Sequence, residues 1–377
     1  MSDYKSIVLV IASVLKPVDD VRMYKKFAKS LVRTGKYEVN IVGFRSQSTI
    51  RDTSMCFHPL FAFSRLHWRR LTANYSFYRA LKRLSPSILI LTTPELYPAV
   101  WWYCKKFESC LVYDIVENYG RNIRYNRGFA SVIVAPLSRL LTSVERHLLA
   151  SASLLISAEK GYIPELNLDP SCVQVIENKA TTPEQLVDKK RDVNSPLSVI
   201  YTGTVSYVYG IKQALSIIET LIENENLPIV LTVLGHVPQV ALHRELQNYA
   251  REHTWLNLRT KDHPVPHDDI IALIQQADFG IVSHQPIPSI AHCFPTRIWE
   301  YMAYRLPFLL QDHPYWTHYC SPWRCAIPID FNCPAIETIK QEVLYGSFYP
   351  QGVPDEIYWK TEEKKLTSAL ENLICHR

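Results

Sequence analysis

The chain has 377 residues, of which 47% are apolar, which is enough for two or three domains with cores of their own. Its net charge of +5 is unevenly divided, because residues 1–190 hold 27 Lys and Arg against 16 Asp and Glu, while the remainder holds 14 against 20. No run of about 18 apolar residues occurs, so no membrane-spanning helix is expected. The basic first half indicates an anionic partner, either lipid head groups or a phosphorylated acceptor. Nucleic acid is not expected, since no recognised binding motif accompanies the charge.

The nine cysteines are odd in number and contain no C-x-x-C pair, which is typical of reduced thiols in a cytoplasmic protein. Three of them, Cys320, Cys325 and Cys333, lie shortly after His313 and His318. Their spacing matches no zinc pattern, so no metal site is expected. The apolar run at residues 6–15 has one preceding lysine and no convincing cleavage site. We interpret it as a buried strand rather than a signal peptide.

Apolar periodicity predicts alternating strands and helices in the first half of the chain. The predicted strands are 7–12, 37–44, 87–91, 110–115, 154–157 and 173–176, and the predicted helices are 21–32, 65–84, 94–107 and 136–150. This alternation indicates a doubly wound α/β domain with a parallel sheet.

The predicted helix 65–84 has two different apolar faces. One carries Leu66, Ala73, Phe77, Leu81 and Leu84 and is expected to pack on the sheet. The other carries Trp68, Leu71, Tyr75 and Tyr78, flanked by Arg65, Arg79, Lys82 and Arg83. Aromatic rings beside cations suit an anionic membrane surface, and packing against a neighbouring loop is the alternative.

A polar, charged segment at 181–196 with a proline near each end predicts a domain linker. A second α/β series follows it. Strands are predicted at 197–202, 228–234, 278–283 and 306–310, and helices from Gly210, at 266–277, from near Phe294 and at 355–375.

The helix that begins near Phe294 predicts an anion site. Pro295 suits the first helical position, and Thr296 and Arg297 add a hydroxyl donor and a permanent cation to the positive end of the helix dipole. A diphosphate fits this arrangement. Glu300 lies one turn further on, where a carboxylate can accept hydrogen bonds from the two hydroxyls of a ribose. The alternative is an amphipathic helix that is merely capped by proline.

The run from Phe294 to Ala303 (FPTRIWEYMA) resembles the "P-[ST]-[KR]-x-x-E-Y-M-A" segment of sugar-nucleotide-dependent GT-B glycosyltransferases, in the large retaining family with a Glu-x7-Glu signature. Glu300 matches the second glutamate. His292 stands where the family carries the first, near the donor sugar, and is therefore a candidate catalytic residue.

Two further segments resemble the same family. The pattern from Asp20 to Gly35 is similar to its "D-x-R-x-x-x-x-A-x-x-L-x-x-x-G" opening, and the resemblance implies that Arg22 reaches the active-site cleft, with a solvated arginine as the alternative. The run YDIVENY at 113–119 resembles "Y-D-x-H-E". The resemblance implies that Asp114 and Glu117 hold the acceptor hydroxyl; the alternative is that they cap the next helix.

The loop that starts at Gly203 corresponds to the family's glycine loop under the donor phosphates. Relatives commonly carry an arginine and a lysine there, and this chain has Thr204 and Tyr209 instead. The resemblance therefore implies that Arg297, together with Lys212, supplies the countercharge, with Gly203, Thr204 and Thr296 completing the donor site.

The patterns predict two Rossmann-like doubly wound domains, at 1–180 and 197–353, with a linker at 181–196 and a final helix at 354–377. The resemblance implies the GT-B type, with an acceptor domain first, a nucleotide-sugar domain second and a final helix that crosses back to the first domain. It also implies transfer of a sugar from a UDP-, GDP- or other nucleotide-diphosphate sugar to a glycan, lipid-linked or small acceptor, with retention and without metal or another cofactor. The expected location is cytoplasmic, peripheral on the inner face of the membrane. A nucleotide-sugar epimerase of the same fold and a non-catalytic partner protein are the alternatives.

Overall fold

The computed structural model describes residues 6–46, 49–63, 70, 72–119, 131–186, 195–287 and 293–375. The chain divides into two compact units, one of Met1–Asn178 with Trp359–Arg377 and one of Lys179–Tyr358. Each unit is built on a parallel sheet with helices on both faces, which confirms the predicted fold class of two Rossmann-like α/β domains.

The first unit contains a sheet of seven parallel strands in the order β3-β2-β1-β4-β5-β6-β7. The strands are β1 (Ile7–Pro17), β2 (Tyr37–Phe44), β3 (Cys56–Phe61), β4 (Ile88–Leu91), β5 (Cys110–Ile115), β6 (Leu154–Ser157) and β7 (Val173–Val175). The central strands read as continuous apolar runs because helices cover both of their faces.

The helices of the first unit are a π-helix (Val21–Ala28) that continues into α1 (Lys29–Arg33), then α2 (Ala73–Leu84), α3 (Tyr97–Phe107), α4 (Ser131–Ser151) and α5 (Tyr162–Glu165). Asp20 caps the π-helix by accepting hydrogen bonds from the backbone N–H groups of Arg22 and Met23. One core lies on the side of the sheet that carries the π-helix and α1, and a second core lies on the side of α2, α3 and α4.

The predicted return of the final helix to the first unit is confirmed. This helix, Trp359–Cys375, packs its buried residues Leu366 and Leu370 into the core beside the π-helix. The indole of Trp359 stacks on Phe27 at 5.8 Å, and its N–H donates to Ser30 Oγ at 2.9 Å. A fully buried carboxylate of the helix, that of Glu362, accepts a hydrogen bond from the backbone N–H of Glu177 at 2.9 Å.

The second unit contains a sheet of six parallel strands in the order β10-β9-β8-β11-β12-β13. Its strands are β8 (Leu197–Thr204), β9 (Ile229–His236), β10 (Leu256–Lys261), β11 (Phe279–Val282), β12 (Phe308–Gln311) and β13 (Ala326–Ile329). Its helices are α6 (Ile211–Glu223), α7 (Val240–Glu252), α8 (His267–Gln276), α9 (Thr296–Ala303), α10 (Pro314–Cys320) and α11 (Ile336–Tyr345). The final helix, Trp359–Cys375, is α12.

Several local predictions differ from the structure. Pro295 lies one residue before α9, with the extended backbone of a cap residue (ψ 119°), rather than at its first position. The strands β3, β10 and β13 were not predicted, nor were α7, α10 and α11. Within the predicted helix 65–84 the structure describes helix α2, and the residues Arg65, Leu66, Trp68 and Leu71 lie outside the described residues. Tyr78 is half-buried and packs against the core, so it does not belong to an exposed face.

Candidate functional site on the second unit

The strand order of the second sheet defines a ligand-binding edge. The chain leaves β8 towards β9 and β10 on one side, and it returns on the other side of β8 to form β11. Loops that leave the carboxyl ends of β8 and β11 therefore diverge to opposite faces. In open α/β sheets this switch point is where a crevice forms and ligands bind. The segment after β8 begins with the predicted Gly203 and Thr204, and the segment after β11 begins with Ser283 and His284.

Close backbone approach explains the glycines at this edge. Gly203 has a φ of +91°, a conformation that residues with a side chain rarely adopt. A Cβ atom at Gly203 would also lie 3.0 Å from Nη2 and 3.1 Å from Nε of Arg297. On the neighbouring strand, a Cβ at Gly235 would lie 1.8 Å from the carbonyl oxygen of Gly203. The end of β8 is thus packed between Gly235 and the guanidinium of Arg297.

Arg297 is buried under the glycine turn, with 7% of its surface exposed. Its guanidinium carbon lies 4.7 Å from the centre of the Tyr201 ring, and Nη2 donates to the carbonyl oxygen of Thr204 at 2.9 Å. Nη1 is enclosed and has no hydrogen-bond acceptor among the residues that the structure describes. A buried cation with an unpaired N–H is costly unless an acceptor completes it. The arrangement therefore suits an anion near the turn.

His284, which follows β11, is the second buried ionisable group at this edge. Its ring centre lies 4.6 Å from that of Tyr209 and 5.9 Å from that of Trp316. Burial, reinforced by the charge of Arg297, holds the pKa of His284 well below its usual range, so the ring is neutral. Its Nδ1 atom, like Nη1 of Arg297, is buried without a partner in the described part of the chain.

Glu300 lies in the second turn of α9, and its Oε1 atom is 2.8 Å from Nε2 of His267. His267 is the first residue of α8, and both helices begin at the carboxyl edge of the sheet. The Glu300 side chain is 18% exposed, so a ligand can reach it, and the histidine fixes its orientation. A carboxylate held in this way is a suitable acceptor for the hydroxyls of a ribose.

The remaining predicted donor residues have different surroundings. Thr296 is the first residue of α9 and is half-buried. Lys212 lies in the first turn of α6, where its ammonium group forms a surface ion pair with Glu245 and lies over the ring of Tyr207 at 5.6 Å. His292 lies outside the described residues.

The predicted acceptor residues belong to the first unit. Asp114 is fully buried in β5, and Arg22 donates to both of its carboxylate oxygens, from Nε at 2.8 Å and from Nη2 at 2.6 Å. Glu117 follows the strand and is half-buried. Since Arg22 engages both oxygens of Asp114, this carboxylate is better placed to hold charge and shape than to accept a proton.

A buried carboxyl in the first unit was not predicted. Glu145, on α4, is 3% exposed and accepts a hydrogen bond from the hydroxyl of Tyr113 at 2.8 Å. Burial raises the pKa of Glu145 to about 7, against the opposing effect of that hydrogen bond. The helical pattern of 136–150 gave no signal for it, because a single glutamate on a helix is usually exposed.

The structure thus brings Gly203, Thr204 and Arg297 together at the end of β8. Thr296 and Glu300 lie on α9, the helix that also carries Arg297. Lys212 forms an ion pair with Glu245 rather than a contact with these residues. Sequence reasoning missed the supporting residues, which are Tyr201, His267 and His284. Two of these had a usable signal, since His284 directly follows a predicted strand and His267 is the second residue of a predicted helix, both at the edge where such sheets bind ligands.

Comparison with solved structures gives matches over nearly the whole chain. Sucrose-phosphate synthase from Thermosynechococcus elongatus superimposes with a TM-score of 0.74 at 12% identity, covering 98% of this chain and 100% of that one. HepE from Anabaena, in complex with UDP and glucose, gives a TM-score of 0.67 at 10% identity, covering 96% and 99%. A protein assigned as a UDP-N-acetylglucosamine 2-epimerase of Listeria monocytogenes gives 0.60 at 9% identity, covering 99% and 98%.

Structures described as glycosyltransferases also match almost the entire chain. No family model matches the sequence, and no curated protein matches it. At these levels of identity the matches establish architecture. The chain has the two-domain Rossmann-like fold of GT-B glycosyltransferases.

Proposed function

We propose that the protein is a glycosyltransferase that binds a nucleotide-diphosphate sugar at the carboxyl edge of the second sheet. The observation that carries the proposal is the buried guanidinium of Arg297 at the switch point, between the Gly203 turn and the start of α9, with an N–H that has no acceptor among the described residues. The similarity to HepE, whose structure contains UDP and glucose, supports the same ligand class.

The diphosphate is countered by the first turn of α9 and by Arg297. The first N–H groups of a helix lack intrahelical partners and carry the positive end of its dipole, so they bind phosphate oxygens. Arg297 adds a full charge in a site of low polarity, where it acts more strongly than at the surface. Gly203 lets the backbone approach the phosphates, and Thr204 and Thr296 contribute hydroxyl donors. Lys212 is a weaker candidate, because a phosphate would have to displace Glu245 from it.

Glu300 binds the ribose of the nucleotide, oriented by its contact with His267. In the first unit, Glu117 accepts the proton of the attacking hydroxyl of a glycan, lipid-linked or small acceptor. Asp114 is fully buried and bound on both oxygens by Arg22, so its role is to hold the end of β5, which Glu117 follows, in a fixed position.

We further propose retention at the anomeric carbon without a metal ion, which requires the acceptor hydroxyl to attack from the same face of the sugar that the diphosphate leaves. In this mechanism the charge that develops on the leaving diphosphate is stabilised by the start of α9 and by Arg297, which occupy fixed positions before the reaction. Turnover is therefore expected to survive EDTA. Activity that EDTA abolished and a divalent cation restored would contradict this part of the proposal.

The first experiment is a screen of nucleoside diphosphates and their sugars for thermal stabilisation, followed by calorimetry on those that bind. Ligand that binds only the native state raises the melting temperature by mass action. Release of the nucleoside diphosphate and the configuration of the product then test transfer and retention. Failure of every nucleotide to bind would overturn the proposal, and binding without turnover would indicate a non-catalytic protein.

The second candidate is a nucleotide-sugar epimerase, which the similarity to the Listeria protein favours. Product analysis separates the two functions. A transferase moves the sugar to a second molecule, whereas an epimerase changes the sugar without joining it to an acceptor.

A further inference from the structure

Helices α2 and α3 carry matching rows of aromatic and basic side chains on their outer faces. On α2 the row consists of Tyr75, Arg79 and Lys82, and on α3 it consists of Trp102, Lys105 and Lys106. The first row has the spacing i, i+4, i+7 and the second i, i+3, i+4, so each row lies on one side of its helix. All six side chains are exposed, with 67% of Tyr75 and 64% of Trp102 in contact with solvent. We call these six residues the aromatic-basic surface.

The two rows belong to one surface because the helices pack side by side on the same face of the first sheet. The inward residues Phe77 and Leu81 of α2 share a core with Val100 and Tyr103 of α3. Each helix leads into the start of a parallel strand, so the two helices run in the same direction and end at the same edge of the sheet. Their outward faces therefore point to the same side.

This surface carries strong positive charge. Neither α2 nor α3 contains an acidic residue, and the nearest carboxylate along the chain is that of Glu108, directly after α3. Among the described residues, Arg79, Lys82, Lys105 and Lys106 form no ion pair with a carboxylate. Instead, Lys105 lies 4.0 Å from the centre of the Trp101 ring, and Arg79 lies 5.9 Å from that of Tyr75.

Helix stability alone does not account for this pattern. Basic residues in a last turn favour the helix dipole, which explains Lys82, Lys105 and Lys106. It does not explain Arg79 in the middle of α2, nor an indole and a phenol ring that face water. Aromatic rings interspersed with lysine and arginine are the composition of helices that lie in the interface of a bilayer, where the rings enter the head-group region and the cations meet lipid phosphates.

We propose that the aromatic-basic surface docks the first unit on an anionic membrane surface. No helix within the described residues is long and apolar enough to cross a bilayer. The positive charge of the surface attracts the protein to the anionic lipids, and the side chains of Trp102 and Tyr75 insert into the head-group region. The proposal is independent of the proposed catalytic function, because it requires no nucleotide.

Sedimentation with vesicles tests the proposal on the full chain. We expect the protein to sediment with phosphatidylcholine vesicles that contain phosphatidylserine, and not with phosphatidylcholine alone. Raising the salt concentration should release it, because the Debye length falls from about 10 Å at 0.1 M to about 3 Å at 1 M. Failure to bind anionic vesicles at low salt overturns the proposal. Binding of RNA or of another protein to the same surface would then identify a different partner and would not support membrane docking.

Two matched double variants locate the surface. Lys105→Glu with Lys106→Glu should weaken binding by at least about thirtyfold, since each cation near an anionic surface contributes roughly fivefold. Arg244→Glu with Lys261→Glu changes the net charge equally, at exposed positions of the second unit, and should have a much smaller effect. Equal losses in the two variants would show that net charge, rather than this surface, governs binding.

Trp102→Ala tests insertion separately from charge. It removes an exposed ring, so the fold and melting temperature should not change, while vesicle binding should fall severalfold and become more sensitive to salt. Wild-type binding by this variant would show that the indole does not enter the bilayer and would overturn the insertion part of the proposal.

Discussion

The Glu300→Ala variant offers a direct test of the donor site. In the structure this carboxylate is 2.8 Å from His267, and 18% of its side chain is exposed beside the start of α9. A hydrogen bond to a charged group contributes about 1.5–3 kcal/mol, so its loss should weaken nucleotide binding by about ten- to a hundredfold. Calorimetry with the nucleoside diphosphate that binds wild type most tightly measures the effect.

A dideoxynucleotide makes this test specific for the ribose. If Glu300 binds the ribose hydroxyls, the 2′,3′-dideoxy form of the same nucleotide should bind wild type and Glu300→Ala equally weakly. His267→Ala should lower affinity less than Glu300→Ala, because it removes only the group that orients the carboxylate. The double variant should then lose little more than Glu300→Ala alone, since contacting residues are not additive.

Unchanged affinity of Glu300→Ala for every nucleotide that binds wild type would refute the assignment. A lower melting temperature with wild-type affinity would show instead that the contact between Glu300 and His267 only joins α8 to α9.

Three further predictions concern buried charges. Arg297→Ala should weaken nucleoside diphosphate binding far more than nucleoside binding in calorimetry, and equal losses would place the diphosphate elsewhere. Asp114→Asn and Glu117→Gln should lower the transfer rate with donor affinity unchanged; loss of donor binding, or an unchanged rate, would remove both residues from the acceptor site and leave the pair of Asp114 with Arg22 as a contact within the fold. Glu145→Gln should raise the free energy of unfolding above pH 7 by up to about 3 kcal/mol and have little effect below about pH 4. The reason is that folding raises the pKa of Glu145 from 4.5 to about 7, so this carboxyl destabilises the folded protein progressively as the pH rises between those two values. Urea unfolding at both pH values measures this, and an equal change at both would indicate repacking rather than titration.

The position of a strand in its sheet affects how readily the sequence predicts it, although the edge strand β7 was predicted as well. The interior strands β1, β4, β5 and β8 are buried on both faces, so they appear as continuous apolar runs. The three strands that were missed all lie at sheet edges: β3, β10 and β13. β3 and β10 are largely half-buried or exposed, and β13 is a four-residue strand containing a proline, so none gives a long apolar run.

Local motifs predicted which residues meet at the glycine turn, but not their partners. The spacing of Thr296, Arg297 and Glu300 on one helix is readable because helical geometry fixes it. The pair Glu300–His267 joins residues 33 positions apart, and the pair Arg22–Asp114 joins residues 92 positions apart. Such pairs depend on which strands become neighbours, and periodicity along the chain contains no information about that.

The return of α12 to the first unit has a consequence for synthesis on the ribosome. Residues Lys179–Tyr358 form a contiguous unit that can fold once they have emerged, whereas the first unit still lacks Trp359, Leu366 and Leu370 at that stage. Until α12 arrives, the apolar groups that it covers, among them the ring of Phe27, face solvent. The unit made first is therefore completed last, and chaperones have their longest opportunity to bind the nascent chain at this face.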